Sequence, residues 1–224
     1  MKKIVILTGA GISAGSGLAT FRGSNGLWNG YSVEDVATLK GFRKNPVSVN
    51  EFYNQLRTEV ASAQPNDAHI AIAEYQKIND IFLITQNVDN LHEKAGSTQC
   101  LHMHGNLFSA QCLKNPTHKV DVSGSIDDSV RCPDCNSRLR PAIVWFGEPI
   151  MGGSQIHRAL KYCTHFISVG TSGTVHPAAG FVAIAKSVGA RCIRIDLEKC
   201  DNPAFDDEII GDCVAEMRNL LENL

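Results

Sequence analysis

The feature that most constrains the fold is a short apolar run that leads directly into a glycine-rich turn. Residues Lys3 to Leu7 are mostly β-branched, and the segment 8–15, TGAGISAG, follows without a break. A buried strand, a tight glycine turn and a helix start, in this order, form the phosphate cradle of a parallel α/β sheet. Gly9 allows the turn, Gly11 lets backbone N–H groups approach a diphosphate, and the helix start adds partial positive charge.

The spacing Gly9-x-Gly11-x-x-Ala14 matches only a relaxed form of the dinucleotide fingerprint. In that fingerprint a second strand ends in an acidic residue about 20 residues later. Residues 25–31 are instead rich in glycine, asparagine and aromatic side chains. A glycine turn that merely joins a strand to a helix therefore stays an equal alternative on this segment alone.

Apolar runs of strand length recur along the chain, and each ends in a polar cluster. Runs without clean alternation, separated by helical stretches, indicate strands buried on both faces of a parallel sheet. We predict an α/β, Rossmann-like doubly wound parallel sheet that binds ligands beyond the carboxyl ends of its strands. The later runs and their clusters are Ile81–Thr85 with 86–89, Phe166–Val169 with 170–172, and Cys192–Ile195 with Asp196; helices are expected over His69–Lys77 and Ala178–Lys186.

Two stretches break this rhythm and are expected to build a smaller lobe. Residues 23–65 are helical in pattern, whereas residues 111–141 are loop-rich and contain three cysteines. The prediction is a Rossmann-like lobe of residues 1–22, 66–110 and 142–224, into which a helical module and a cysteine-bearing module are inserted.

Composition excludes several classes of protein. The 224 residues carry a formal net charge of −2, which gives no reason to expect nucleic-acid binding. The apolar runs fall far short of the roughly 20 residues of a membrane span. Because a strand is predicted almost at the start, we expect no signal peptide. Eight cysteines without an export signal indicate reduced thiols. We expect a cytoplasmic monomer without nucleic-acid or membrane partners.

The segment CPDC at 132–135 has the spacing of a zinc knuckle, because two thiolates three positions apart on a tight turn can bind one tetrahedral ion. A full site needs a second pair about 15–20 residues away, and Cys112 lies where that pair would start. Asn115 occupies the position of its partner, so His118 is the nearest replacement ligand. We predict structural zinc on Cys112, Cys132, Cys135 and an undetermined fourth ligand; the alternative is a knuckle that packs without metal. The other cysteines are expected in the core: Cys100, Cys163, Cys192, Cys200 and Cys213.

Two histidines, His102 and His104, lie in the segment HMHGN at 102–106. The ordinary pKa of histidine suits a general base at a cleft. We expect His104 to face the cleft and His102 to face away from it, so that the two rings do not share a metal.

Together these motifs resemble those of the sirtuin family. The matching segments, in the family's order, are Gly9–Ser13 with Phe21–Gly23, Thr85–Asp89, His104–Asn106, Val144–Glu148 and Gly170–Ser172. The resemblance extends over essentially the whole chain, and its Gln-Asn-x-Asp and His-Gly segments are the most specific. Within the family it is nearest to the bacterial class related to desuccinylase-type sirtuins.

The resemblance implies an NAD-dependent protein-lysine deacylase. In this family the acyl group passes to ADP-ribose, and the products are nicotinamide, 2′-O-acyl-ADP-ribose and free lysine. His104 matches the general base, while Asn87 and Asp89 can hydrogen-bond a carboxamide and orient it for reaction. The implied NAD-binding positions are Gly9, Ala10, Gly11, Ser13, Ala14, Phe21, Arg22, Gln86, Asn87, Val88, Asp89, Gly170, Thr171, Ser172, Asp196, Leu197, Glu198 and Ala215.

Two other functions stay open. The same NAD chemistry permits a protein ADP-ribosyltransferase, and a chain of this kind can also bind NAD or acyl-peptides without catalysis. The presence of His104, Asn87 and Asp89 argues against the silent binder.

Acyl-lysine proteins or peptides are the implied substrates, bound as an added strand between the lobes. The positions expected to contact them are Tyr53, Leu56, Val144, Phe146, Gly147 and Glu148, and Trp145 either joins them or packs in the core. Desuccinylating members carry a Tyr and, three residues later, an Arg. Here Leu56 stands at the second position, and Arg57 lies one residue further on, about 100° around a helix. Deacetylation is therefore expected to be favoured.

Overall fold

The computed structural model describes residues 2–20, 27–28, 30–127 and 129–224. In chain order its strands are β1 (Lys3–Thr8), β2 (Leu27–Trp28), β3 (Tyr31–Ser32), β4 (Asp80–Thr85), β5 (Cys100–His102), β6 (Gly105–Cys112), β7 (Lys119–Asp121), β8 (Leu139–Ile143), β9 (His165–Val169), β10 (Arg191–Asp196) and β11 (Asp207–Ile210). The helices are α1 (Ala10–Ala14), α2 (Val33–Val36), α3 (Leu39–Lys44), α4 (Pro46–Ser62), α5 (Asp67–Gln76), α6 (Leu91–Lys94), α7 (Gly153–Tyr162), α8 (Phe181–Ser187) and α9 (Cys213–Glu222).

A six-stranded sheet with the order β11-β10-β9-β1-β4-β5 forms the centre of the molecule. Every pairing in it is parallel. From β1 the chain first builds outward through β4 and β5, and later returns to add β9, β10 and β11 on the other side. The direction of the strand order therefore reverses between β1 and β9, which is where a doubly wound sheet opens a ligand crevice. The predicted fold class is confirmed.

Alternate residues of β1 feed two apolar layers, one on each face of the sheet. Ile4 and Ile6 pack with residues of α1, α5 and α9, whereas Val5 and Leu7 pack with residues of α7 and α8. This is the period-two geometry of a strand buried on both faces, and it explains the continuous apolar run.

Helices α2, α3 and α4 pack with strands β6 and β8 of the antiparallel sheet β7-β6-β8 around a separate apolar cluster. Its largest fully buried side chains are Phe52, Tyr53 and Trp145. A smaller cluster beneath the cysteines contains Ala110, Ile126 and Leu139. None of the helices in the described part of the chain is long and apolar enough to cross a bilayer.

Candidate active site

The loops that follow β1 and β9 meet at three glycines. The N–H of Gly11 donates to the carbonyl oxygen of Gly170 at 2.8 Å, and the N–H of Gly9 donates to that of Val169 at 3.0 Å. A Cβ on Gly9 would lie 2.7 Å from the Gly170 oxygen, and one on Gly11 would lie 2.6 Å from the Gly170 Cα. The glycines are thus required for two backbones to touch. This corrects the expectation for the N–H of Gly11, which is already paired within the protein.

A buried polar chain lies beside this contact. The side-chain amide of Asn87 donates to the carbonyl oxygen of Gly9 at 3.1 Å and to Ser13 Oγ at 3.0 Å. Ser13 Oγ in turn donates to Asp89 Oδ2 at 2.9 Å, and the N–H of Leu91 donates to Asp89 Oδ1. Burial raises the pKa of the Asp89 carboxyl. Because both amide hydrogens of Asn87 are engaged, the group that Asn87 can offer a ligand is its Oδ1 acceptor.

Two further contacts join elements around the carboxyl edge of the sheet. Gln86 Nε2 donates to Thr171 Oγ1 at 2.9 Å, which joins the loops after β4 and β9. Thr8 Oγ1 lies 3.0 Å from Nε2 of the buried His92. Sequence reasoning missed Thr8 and His92, since nothing in their local pattern distinguishes them from core residues.

His104 lies in the turn between β5 and β6, with its ring held against the loop after β4. Its Nδ1 is 3.0 Å from the carbonyl oxygen of Gln86, which can only accept, so Nδ1 carries the proton and Nε2 keeps the basic lone pair. Burial lowers the pKa of His104, and the bond to Gln86 partly offsets this effect. The ring is thus a neutral base at neutral pH.

The expectation that His102 faces the opposite way from His104 is wrong. The Nδ1 of His102 bonds the carbonyl oxygen of Asn87 at 3.0 Å, one residue along from the partner of His104. The two rings therefore both turn toward the loop after β4. Between them Met103 is fully buried.

The residues expected at the acyl end lie on α4 and after β8. Tyr53 is fully buried, and its hydroxyl accepts a hydrogen bond from Trp145 Nε1 at 2.9 Å. Leu56 is buried in the same apolar cluster. Trp145 is a core residue, and Arg140 stacks on its ring with Cζ 4.1 Å from the centroid.

Arg57 points away from this cluster, as its helical position predicts. Its Nε donates to the carbonyl oxygen of Leu107 at 2.7 Å, and its Nη1 donates to that of Gly124 at 3.1 Å. Arg57 therefore joins α4 to the cysteine-bearing module. It is not a candidate for gripping an acyl carboxylate.

The loop after β8 presents an exposed aromatic side chain on a braced backbone. Phe146 is 54% exposed, and its N–H donates to the carbonyl oxygen of Ala37 at 2.9 Å. Glu148 braces the loop, because it accepts from Arg140 Nη2 at 2.6 Å and from the N–H of Trp145 at 2.9 Å. Gly147 adopts φ +89°, a conformation that favours glycine. Val144 donates its N–H to the carbonyl oxygen of His104, which fixes this loop to the base.

The remaining predicted positions lie around the crevice. Asp196, at the end of β10, already contacts Arg194 Nη2 at 3.2 Å and the N–H of Glu198 at 3.4 Å. Near Ala215, at the start of α9, the Cys213 thiol lies 3.5 Å from the Gly11 carbonyl oxygen. Ala10 and Ala14 lie on α1; Val88, Ser172 and Leu197 lie in the loops after β4, β9 and β10. Phe21 and Arg22 lie outside the described residues.

The cysteine module brings four ligands together. The ligand atoms of Cys112, His118, Cys132 and Cys135 all lie within 4.8 Å of one another. Cys112 Sγ is 3.4 Å from Cys135 Sγ, and Cys132 Sγ is 3.5 Å from His118 Nδ1. Bonds of about 2.0–2.3 Å place tetrahedral ligands about 3.5–3.8 Å apart, so the cluster fits a structural zinc ion. His118 completes the set through Nδ1, and Asn115 lies beside its other ring nitrogen, with Nδ2 2.8 Å from Nε2.

The other five cysteines form two groups that differ in solvent exposure. Cys163, Cys192 and Cys213 are buried as expected, whereas Cys100 and Cys200 are partly exposed. The expectation of a core position is therefore wrong for Cys100 and Cys200.

Comparison with known proteins identifies the family in which this arrangement occurs. The parallel sheet, the glycine contact at its switch point and the cysteine module define a nucleotide-binding α/β protein with a metal-knuckle insertion. The sequence profile described as "Sir2 family" matches residues 9–177. The chain belongs to the Sir2 family.

Relatives and solved structures agree with this assignment. An NAD-dependent protein deacylase of Pasteurella multocida is 48% identical over 213 residues, which are 92% of this chain and 90% of the relative. One of Leishmania major is 46% identical over 93% of this chain and 89% of the relative. A Sir2 homologue in complex with NAD superimposes with TM-score 0.90 at 38% identity, covering 99% of this chain and 89% of the other. A Sir2 protein bound to an acetylated peptide gives 0.84 at 29% identity, covering 99% and 92%.

Proposed function

We propose that this chain is an NAD-dependent protein-lysine deacylase that favours acetyl groups and yields nicotinamide, free lysine and 2′-O-acyl-ADP-ribose. The relatives named as NAD-dependent deacylases and the Sir2 structures with NAD and acetylated peptide support this function. The observation that carries it is the orientation of His104, a buried neutral base beside the Asn87–Ser13–Asp89 chain.

The residues present fit NAD. Gly9, Gly11 and Gly170 form a backbone surface that any Cβ would disrupt, and the switch point of the sheet opens beside them. When bound, NAD supplies an electrophilic ribose carbon with nicotinamide as its leaving group. Asn87 Oδ1 would accept from the carboxamide of that leaving group and fix its position. Asp89 acts through Ser13, because its carboxylate holds the hydroxyl that receives an Asn87 hydrogen.

His104 would act as the base on a ribose hydroxyl. The bond from Nδ1 to Gln86 O directs the proton-accepting lone pair to Nε2, and Val144 holds the backbone of the base from the other side. Gln86, tied to Thr171, would bind the ribose hydroxyls between the two loops. Proton transfer through a positioned histidine of this kind contributes about 10²–10⁴-fold to rate.

The acyl preference follows from α4. Leu56 places an apolar side chain at the position where a carboxylate-binding arginine would stand, and Arg57 is committed to Leu107 and Gly124. A succinyl carboxylate would be desolvated there without a cationic partner. An acetyl group or a longer neutral acyl chain carries no such cost.

The peptide is proposed to bind beside the 144–148 loop as an added strand, with Phe146 over the acyl-lysine stem. We also propose that the protein acts as a monomer, and in a reducing compartment such as the cytosol because thiolates form the zinc cluster. Light scattering on purified protein measures the first property.

The test is to incubate the protein with NAD and an acetyl-lysine peptide and to quantify nicotinamide and deacetylated peptide. A deacylase releases nicotinamide only with acyl-peptide and in equal amount to the deacetylated product. Nicotinamide release with ADP-ribose attached to protein would favour the ADP-ribosyltransferase. Binding of NAD without turnover would favour the silent binder.

A further inference from the structure

A second group of metal-ligand side chains lies at the edge of the central sheet, and we call it the edge cluster: Glu93, Cys100 and His102. Their ligand atoms all lie within 4.8 Å of one another. Cys100 and His102 are two positions apart on the edge strand β5, so their side chains share a face. Glu93 reaches them from α6, and neither Glu93 nor Cys100 has a role in the proposed reaction.

The orientation of His102 leaves this cluster needing a cation. Its Nδ1 donates to the carbonyl oxygen of Asn87, so the neutral ring presents the Nε2 lone pair on its other side. That lone pair faces Glu93 Oε1 at 2.8 Å. Two acceptors at this distance repel each other unless a cation lies between or beside them. A proton on Nε2 meets that need in the metal-free protein, where the contact with Glu93 raises the pKa of His102. A metal ion can replace this proton, and the sulfur of Cys100 beside the two groups supplies a third ligand for it.

The second contact of His102 is the one that metal-bound histidines make. Ligating imidazoles usually bind through one nitrogen while the other donates to a carbonyl or carboxylate, which fixes the tautomer. Here the Asn87 carbonyl fills that role at 3.0 Å. The cluster is also accessible, because the Glu93 side chain is 41% exposed and can rotate to open the short N–O distance.

We propose that the edge cluster binds one Zn²⁺ ion through Glu93, Cys100 Sγ and His102 Nε2, with solvent in the fourth position. Thiolate, imidazole and carboxylate together form a donor set suited to zinc, and three protein ligands with an open position give an exchangeable site. The Cys100 thiol loses its proton to solvent when the metal binds. This ion is distinct from the one in the cysteine module, whose four ligands come from residues 112–135.

Metal binding at the edge cluster would affect the candidate active site through one hydrogen bond, the bond between His102 and Asn87. His102 Nδ1 holds the carbonyl of Asn87, and the side chain of Asn87 holds Gly9 and Ser13. A metal on Nε2 polarises the ring and strengthens its donation to that carbonyl. The edge cluster would thereby position Asn87.

Cobalt binding tests the proposal. Protein that already holds zinc in its cysteine module is titrated with Co²⁺, and the cobalt–thiolate absorption and total bound metal are measured while released zinc is followed with a chromogenic chelator. We expect one additional equivalent with a thiolate band and no zinc release. Cys100→Ser should lose the band, and Glu93→Gln should weaken binding at least tenfold. Cys200→Ser, which removes a partly exposed thiol outside both clusters, should behave as the unmodified protein.

Three outcomes would overturn the proposal. The first is that the protein binds no additional equivalent of cobalt, and the second is that Cys100→Ser and Glu93→Gln both bind cobalt as tightly as the unmodified protein. The third is that the thiolate band appears only as zinc is released. Should Cys100→Ser fail to fold, Glu93→Gln decides, because its side chain is partly exposed and its amide is nearly isosteric.

Discussion

At the residue scale, two effects meet on the His104 ring. Burial disfavours the imidazolium, and the Gln86 carbonyl holds the proton of the neutral ring on Nδ1. The first effect keeps the base unprotonated, and the second directs its lone pair. Both effects depend on the position of the ring in the turn between β5 and β6, where it lies against the loop after β4 and where Val144 fixes the backbone of His104.

This environment predicts the acid side of the pH profile. Because the pKa of His104 is lowered, the ring stays a neutral base to a more acidic pH than an exposed histidine. The acid limb of kcat/KM should therefore have its midpoint below the ordinary histidine value of about 6.5. The measurement is kcat/KM on an acetyl-lysine peptide from pH 5 to pH 9. A midpoint at or above the ordinary value would contradict the assigned environment.

Leu56 predicts the acyl preference. A desolvated carboxylate without a cationic partner costs several kcal/mol, and about 4 kcal/mol corresponds to roughly a thousandfold in kcat/KM. We expect acetyl-lysine to be preferred over succinyl-lysine on matched peptides by about that factor. Leu56→Arg should raise the succinyl activity, and Leu56→Met should leave the preference unchanged. A succinyl preference in the unmodified protein would show that Arg57 reaches the acyl group.

The candidate site could be predicted from sequence where its residues lie in contiguous motifs. Asn87, Asp89 and His104 follow strands directly, so their place at the carboxyl edge of the sheet follows from the strand pattern. Cys100 and Glu93 could not be recognised in this way, because their proximity depends on how α6 lies over β5. The hydrogen-bond acceptor of the Gly11 N–H could not be predicted either, because it depends on the packing of two loops that are distant in sequence.

At the element scale, the long apolar strands are visible in the sequence and the short or polar ones are not. Strands β1, β4, β9 and β10 match the predicted runs within two residues at either end. Strand β5 has three residues, too few to show a period. Strand β11 pairs with β10 through its backbone but begins with Asp207 and Glu208, whose carboxylates form ion pairs with Arg191 and Arg194 of β10, so it does not read as an apolar run.

Two helices begin at a different residue from the one predicted, and the cause is local in each case. Helix α5 begins at Asp67, earlier than predicted, because the Asn66 side chain caps it by accepting from the N–H of Ala68 at 3.1 Å. The predicted helix at Ala178 begins instead as a 3₁₀ turn over Ala178–Gly180 before α8.

The cysteine module predicts a firmly held metal. With Cys112, His118, Cys132 and Cys135 at zinc distances, elemental analysis after dialysis against a weak chelator should find one zinc per chain. Cys132→Ser should lose this zinc and lower the melting temperature, whereas Cys163→Ser should keep it. Metal-free protein with unchanged melting would favour a knuckle that packs without metal.

At the scale of the whole molecule, two buried histidines link stability to pH. The rings of His69 and His92 lie in contact with centroids 4.8 Å apart. Burial lowers the pKa of His69 to about 4, and burial lowers that of His92 well below its ordinary value. In the unfolded chain both rings would bind protons near pH 6.5, whereas in the folded protein they stay neutral.

The unfolded state therefore binds more protons below pH 6.5, and the free energy of unfolding must fall as the pH falls. From His69 alone the loss at pH 5 is about 2 kcal/mol, and it is complete below about pH 4. Urea denaturation at pH 7 and at pH 5 measures this difference in the free energy of unfolding. His69→Gln should show a smaller loss between the two pH values, and the exposed His157→Gln should show the full loss. Equal losses in all three proteins would assign the effect to other groups.

The most direct test of the account follows the acyl group itself. An acetyl-lysine peptide labelled with carbon-13 in the acetyl group is incubated with NAD, and the label is located by mass spectrometry. We expect the labelled acetyl group to be attached to ADP-ribose. The peptide should then carry an unacylated lysine without label. His104→Tyr should abolish this product while NAD still raises the melting temperature, and His157→Tyr should leave it intact. Label recovered only as free acetate from the start of the reaction, or near-normal turnover in His104→Tyr, would contradict the account.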